Sequence, residues 1–360
     1  MKSFFKYLLA SVLGVIIGSF LLLLAIMLVL SAIIATQDKP VDIKSNTILL
    51  LKLNQPINDR KSNFPVFTYN FSNFGAESEY GLNDILDNIE KAGKDDNIKG
   101  IYLQLTGLQA GIATIEEIRN ALLEFKETGK FIISFSDTYT QGSFYLASIA
   151  DKIYLNPGGS VNLIGLSADL IFFKKTLEKL ELEPEIVRHG KFKSAVEPFM
   201  YDRMSPENRE QIRTYVGSIW DHMVQKIAES RSITTANINQ FADSLLMWDV
   251  KSALRYKIID AALYKDQVLD SLSSLTGITK SKDLKFISHN RYMRVPDSGK
   301  GKGYARNKIA VIYAEGDIVP GDMGEGFIGS DIISRTIREA RQDSSVKAIV
   351  FRVNSGGGSA

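Results

Sequence analysis

Apolar positions along this chain fall into three patterns, and each predicts a different element. Residues 8–35 are almost wholly apolar, broken only by Ser11, Gly14, Gly18, Ser19 and Ser31. A helix of that length, rising about 1.5 Å per residue, exceeds a hydrocarbon core of roughly 30 Å. Short apolar runs at residues 47–53, 98–105 and 131–136 predict buried strands. Helical spacing places Leu82, Ile85, Leu86, Ile89 and Ala92 on one face, and Ile115, Ile118, Leu122 and Phe125 on another within residues 114–127. Residues 57–80 lack either period and read as an irregular loop. Strands alternating with helices predict parallel βαβ units, an α/β fold. A long helix is predicted at residues 206–230, with Ile212, Tyr215, Val216, Ile219, Trp220, Met223 and Ile227 on one face, as core packing first and a subunit contact second.

The order strand, helix, strand returns at residues 308–314, 331–341 and 346–353. Ile85, Ile89, Ala92, Ile98, Lys99 and Ile101 match Ile333, Ile337, Ala340, Val346, Lys347 and Ile349 at a constant 248 positions, without a gap. Duplication explains so long a gapless match better than chance. The copies join at residues 288–306, rich in Gly, Ser, Lys and Arg and read as a linker. The second copy stops soon after its strand, inside a glycine loop, so the chain reads as the first part of a longer protein.

Charge and composition remove several function classes. A net charge of +2 gives no electrostatic case for a nucleic-acid partner. The chain has no cysteine, which excludes disulfides, thiolate catalysis and Cys metal sites. Its three histidines, His189, His222 and His289, share no ligand spacing. For the N-terminal run, the competing reading is a cleaved secretory signal preceded by Lys2 and Lys6, but signal h-regions span only about 7–15 residues. A retained anchor is the expectation. Its N-terminus is placed in the cytoplasm by Lys2, Lys6 and the terminal amine.

Two segments hold candidate chemistry. The run Asn354-Ser355-Gly356-Gly357-Gly358-Ser359 follows a strand, and its bare backbone N–H groups suit an oxyanion hole or a phosphate cradle. It lacks the P-loop ending and the dinucleotide spacing, and a plain turn is its default reading. In Lys191-Phe192-Lys193 the two lysines share one face if the segment is extended. Spacing alone makes them surface lysines of an edge strand. Lysine serves as a base near neutral pH only where burial or a neighbouring cation favours its neutral form.

The segment Lys193-Ser194-Ala195-Val196-Glu197-Pro198-Phe199, then Met204-Ser205-Pro206, resembles the signature of the long signal peptide peptidase A family. Tyr145–Ser148, Ile153–Asn156, Arg352–Ser355, the anchor and the tandem repeat add to the resemblance, which covers essentially the whole chain. It implies a crotonase/Clp-protease-like fold of ββα spiral repeats behind one transmembrane helix. The implied layout is a cytoplasmic tail (1–7), an anchor (8–36), a first peptidase-like repeat (37–287), the linker (288–306) and the start of a second repeat (307–360). Lys193 would be the general base, and Gly357 and Gly358 would belong to the oxyanion loop, where Gly356 replaces the proline often found in the family. The serine nucleophile is expected beyond residue 360. Its counterpart in the first repeat is Gln141 of Gln141-Gly142-Ser143, which cannot attack a carbonyl; Ser143 and Ser194 read as structural.

The resemblance thus implies a Ser/Lys endopeptidase degrading cleaved signal peptides and other hydrophobic peptides. It would act as a homotetramer, anchored in the cytoplasmic (inner) membrane with its bulk on the periplasmic or extracytoplasmic side. No metal or organic cofactor is implied, and activity would rise toward alkaline pH as the base loses its proton. A catalytically inactive membrane scaffold or protease regulator is the alternative for a chain ending at residue 360. Acyl-CoA chemistry, which the superfamily also supports, is disfavoured by an outward-facing location.

Overall fold

The apolar N-terminal run forms a single helix, α1 (Lys2–Gln37). Its stretch Ser3–Leu28 has a mean hydropathy of 2.7 and is not buried against the other described residues. By length and composition it can cross a bilayer. The computed structural model describes residues 2–37, 41–61, 80–296, 305–324 and 326–358. Residues 62–79 of the expected loop, residues 297–304 of the expected linker and Ser359 of the glycine run lie outside the described residues.

After the helix the chain runs through β1 (Thr47–Lys52), β2 (Ile57–Asn58), β3 (Tyr80–Gly81), α2 (Leu82–Lys94), β4 (Ile98–Gln104), α3 (Ile112–Glu127), β5 (Phe131–Tyr139), α4 (Gln141–Ala147) and β6 (Lys152–Val161). An arm with only α5 (Lys174–Lys179) and α6 (Glu197–Met200) leads to α7 (Pro206–Arg231). Next come α8 (Thr235–Asp243), α9 (Val250–Arg255), β7 (Ala261–Ala262), α10 (Lys265–Thr276), β8 (Lys285–Ser288) and α11 (His289–Tyr292). The last stretch holds β9 (Lys308–Glu315), β10 (Asp317–Val319), β11 (Phe327–Gly329), α12 (Ser330–Gln342) and β12 (Val346–Asn354).

Six strands form one parallel sheet in the order β7-β6-β5-β4-β1-β8. The fold is α/β, as the strand–helix alternation predicts. Both faces of the sheet are covered, which is why its central strands are continuous apolar runs. Leu49, Leu51, Ile101 and Leu103 point into the main core with α2 and α3, while Ile48 and Tyr102 meet Val268 and Leu272 of α10 on the other face.

The repeat recurs at the level of single hydrogen bonds. In both copies the first residue pair is followed by an irregularity: Thr47 faces Ile98 and Ile48 faces Gly100, while Lys308 faces Val346 and Ile309 faces Ala348. Asp95 accepts from the Asn97 N–H at 3.0 Å, and Asp343 from the Ser345 N–H at 2.8 Å. Thr47 N–H donates to Asn97 O, and Lys308 N–H to Ser345 O. The parallel pair β2–β3 has its counterpart in β10–β11, with fewer residues between the strands in the second copy. Environment separates the copies. Leu103 and Leu105 are 0% exposed, whereas their equivalents Phe351 and Val353 are 48% and 57% exposed. Among the described residues, β4 lies inside the six-stranded sheet, whereas β12 pairs with β9 alone.

Three expectations need correction. Residues 57–80 are not wholly irregular, since their ends pair as β2 and β3. Residues 288–296 are not linker: Ser288 ends β8, which pairs with β1, and His289 and Tyr292 are buried. Asn88 holds His289, its Nδ2 meeting His289 Nδ1 at 2.9 Å and donating to His289 O at 3.1 Å, while Tyr292 Oη donates to Asp95 Oδ2 at 3.1 Å. On α7, Met223 and Ile227 reach the core but Tyr215 is exposed, because the N-terminal half of the helix runs out beside the arm.

Candidate active site

Lys193 lies in the arm, in irregular backbone between two short turns rather than in an extended strand, so the shared lysine face is absent. Both Lys191 and Lys193 are exposed. The Lys193 ammonium makes no hydrogen bond or ion pair with a described residue. Short-range turns shape its loop: Ser194 N–H donates to Phe192 O at 3.1 Å, and Glu197 N–H to Ser194 O at 3.0 Å.

Behind this loop sits a buried carboxylate that sequence reasoning did not single out. Glu197, 0% exposed, accepts from Ser205 Oγ at 2.6 Å, Ser205 N–H at 3.2 Å and Asn208 Nδ2 at 2.8 Å. Arg188 Nη1 lies 3.7 Å away. Desolvation pushes the Glu197 carboxyl up, but the Ser205 and Asn208 bonds and the Arg188 charge outweigh it and hold it below the usual glutamate range. Ser205 also caps α7, accepting from Asn208 N–H at 3.1 Å, with Pro206 at the first helical position. The Ser-Pro helix start was readable in the sequence; the carboxylate it serves was not.

The glycine loop leaves β12 and folds back over β10. Ile318 N–H donates to Gly357 O at 2.9 Å, repeating the 3.1 Å bond from Ile57 N–H to Gln109 O in the first copy. A Cβ on Gly358 would lie 2.1 Å from Ile318 O, so this close approach requires glycine. Gly357 N–H is bonded to Ser355 Oγ at 3.0 Å. Among the described residues, no hydrogen bond joins Lys193 to this loop.

Arg352, two residues before Asn354, ties the copies together. Its Nη2 lies 2.8 Å from Asp59 Oδ1 and its Nη1 2.8 Å from Glu117 Oε1. The Asp59 bond and the charges of both carboxylates hold the guanidinium protonated, far above its ordinary range. A second tie runs from Asn83 Nδ2 to Tyr313 Oη at 2.5 Å.

Gln141 opens α4 directly after β5. Its Oε1 accepts from Ile164 N–H at 3.2 Å and Gly165 N–H at 3.0 Å. Two backbone donors on one oxygen are the arrangement an oxyanion hole uses, but a carboxamide already fills it. Ser143 is buried and donates to Thr140 O at 3.0 Å, a structural role.

Residues 124–279 match the profile described as peptidase family S49. Protease 4 of Haemophilus influenzae is 38% identical over 288 residues, covering 77% of this chain and 46% of that protein. Protease 4 of Salmonella typhi is 36% identical over 300 residues, 79% of this chain and 48% of that protein. The chloroplastic serine protease SPPA of Arabidopsis thaliana is 27% identical over 324 residues, 88% of this chain and 46% of that protein. The chain spans about half the length of these curated relatives.

Proposed function

Since the chain belongs to peptidase family S49, we propose that it is part of a membrane-anchored serine endopeptidase whose general base is Lys193. One observation carries the reading: the matched residues 124–279 include the arm whose loop presents a lysine, without a partner among the described residues, four positions ahead of the buried Glu197. In this reading the serine nucleophile belongs to the part of the longer relatives that this chain does not span. Neutral Lys193 takes the proton from that serine as its oxygen attacks the scissile carbonyl. The same proton passes to the leaving amine as the C–N bond breaks, and water then releases the acyl group by the reverse sequence. Gly357 and Gly358 belong to the loop that stabilises the oxyanion, and Ser355 must release the Gly357 N–H for that group to take part.

Substrates in this proposal are apolar peptides, cleaved signal peptides among them, bound as an added strand. The helix α1 is the retained single-pass anchor in the cytoplasmic membrane, leaving the rest extracytoplasmic, and the enzyme works as a homotetramer. A non-catalytic scaffold is the second reading, favoured by the filled Gln141 site of the first copy. One experiment separates the two. In the complete gene product, Lys193→Ala should abolish hydrolysis of a fluorogenic apolar peptide while leaving the circular dichroism spectrum intact. A fully active variant would remove Lys193 from the mechanism, and an inactive parent protein would favour the scaffold.

A further inference from the structure

We propose that Glu197 and Arg188 form a positioning pair for Lys193, a proposal that deepens the reading above and rests on it. Burying a carboxylate within an otherwise exposed arm is unfavourable unless donors compensate for the lost water. Here all the donors come from the start of α7 or from the arm itself. Glu197 thereby fastens the arm to a 26-residue helix whose far end is in the core. It sits only four residues after the lysine.

Arg188 completes the connection. Its Nη1 faces Glu197 Oε1 and also donates to Lys193 O at 3.4 Å, while Nη2 donates to Tyr201 Oη at 3.1 Å. The guanidinium lies over the Tyr201 ring, 5.7 Å from its centre. The Lys193 main chain is therefore referred to α7 through one guanidinium and one carboxylate. On the other side of the arm's base, Phe173 N–H donates to Pro198 O at 2.7 Å and the Phe173 and Phe199 rings stack. That brace holds the base but does not touch the lysine loop.

Glu197 is itself a poor proton acceptor, because its oxygens are occupied and its charged form is favoured. Its effect on the reaction must pass through Lys193, and displacing a base by about 1 Å can lower a rate by about 100-fold. Arg188 is a better probe than Glu197, since its side chain is only partly buried and its loss leaves the α7 cap intact.

The test uses the complete gene product and a fluorogenic apolar peptide, well below the melting temperature. Arg188→Ala should lower kcat by about tenfold or more with KM within about twofold, and Arg188→Lys should recover part of the loss. Glu197→Gln should repeat the kcat effect; if that variant does not fold, the Arg188 series decides. The positioning role is overturned if Arg188→Ala keeps kcat within about twofold, raises KM alone, or loses activity only in proportion to unfolded protein. Lys193→Ala is measured alongside. If it is inactive while Arg188→Ala is normal, only the pair is wrong; if it is fully active, the underlying reading fails.

Discussion

Arg352 and Asp59, 293 positions apart in the chain, meet at 2.8 Å and join the second copy of the repeat to the first. Asp59 is buried, and Glu117 takes the other arm of the fork. Removing one partner of a buried pair leaves the other uncompensated. Arg352→Met should therefore destabilise the second copy by about 1–3 kcal/mol, read as faster amide exchange in β9 and β12. The double variant with Asp59→Asn should recover part of the loss. Unchanged exchange in the single variant would show that the fork does not hold the copies together.

His289 makes stability depend on pH. Burial first, then the charges of Lys91 and Lys61, push its imidazole down to about 4. The folded state thus keeps His289 neutral where the unfolded chain, with a pKa near 6.5, already binds a proton. Stability from this group is fully present above the unfolded pKa, declines as pH falls from about 6.5 toward 4, and is constant below that. Between pH 7 and pH 4.5 the loss should be about 2–3 kcal/mol. Denaturant melts of the parent and of His289→Gln check it: the variant should be less stable at pH 7 but show a flatter profile across this window.

The two loop glycines should respond differently to alanine. At Gly357, φ is +113° and no described atom lies within 4 Å of an added Cβ, so among the described residues alanine meets only backbone strain, about 1–3 kcal/mol. At Gly358 the added methyl also meets the Ile318 main chain at 2.1 Å, which must move. Gly358→Ala should expose the Ile318 N–H to exchange more than Gly357→Ala does. Equal exchange in the two variants would contradict the close approach.

Gln141 bonds two backbone N–H groups at the edge of the arm. Gln141→Ala should cost about 1 kcal/mol and, under the proposed function, leave kcat of the complete gene product unchanged, since the carboxamide occupies both backbone donors. A large fall in kcat without a change in melting temperature would assign Gln141 to the reaction.

Much of the fold was legible because local periodicity reports which faces are covered. The apolar run of α1, the buried strands β1 and β4, the face of α2 and the 248-residue repeat all depend on neighbours in sequence. The candidate site was legible only in part. The sequence pointed to the Lys193 segment through resemblance, yet the same residues suggested an extended strand where the structure has irregular backbone.

What the sequence alone determined is therefore the class of element, their order and the strand–helix–strand pattern that returns near the end of the chain. Tertiary structure alone decided that residues 288–296 pack inside the first unit. It also decided that Gln141 fills a pair of backbone donors, that Arg352 bridges two carboxylates, and that Glu197 is buried behind an exposed Lys193. The physical reason is range. Periodicity is imposed by the backbone over a few residues, whereas a buried charge is tolerable only where the chain path brings its donors, and no spacing within one segment encodes that path.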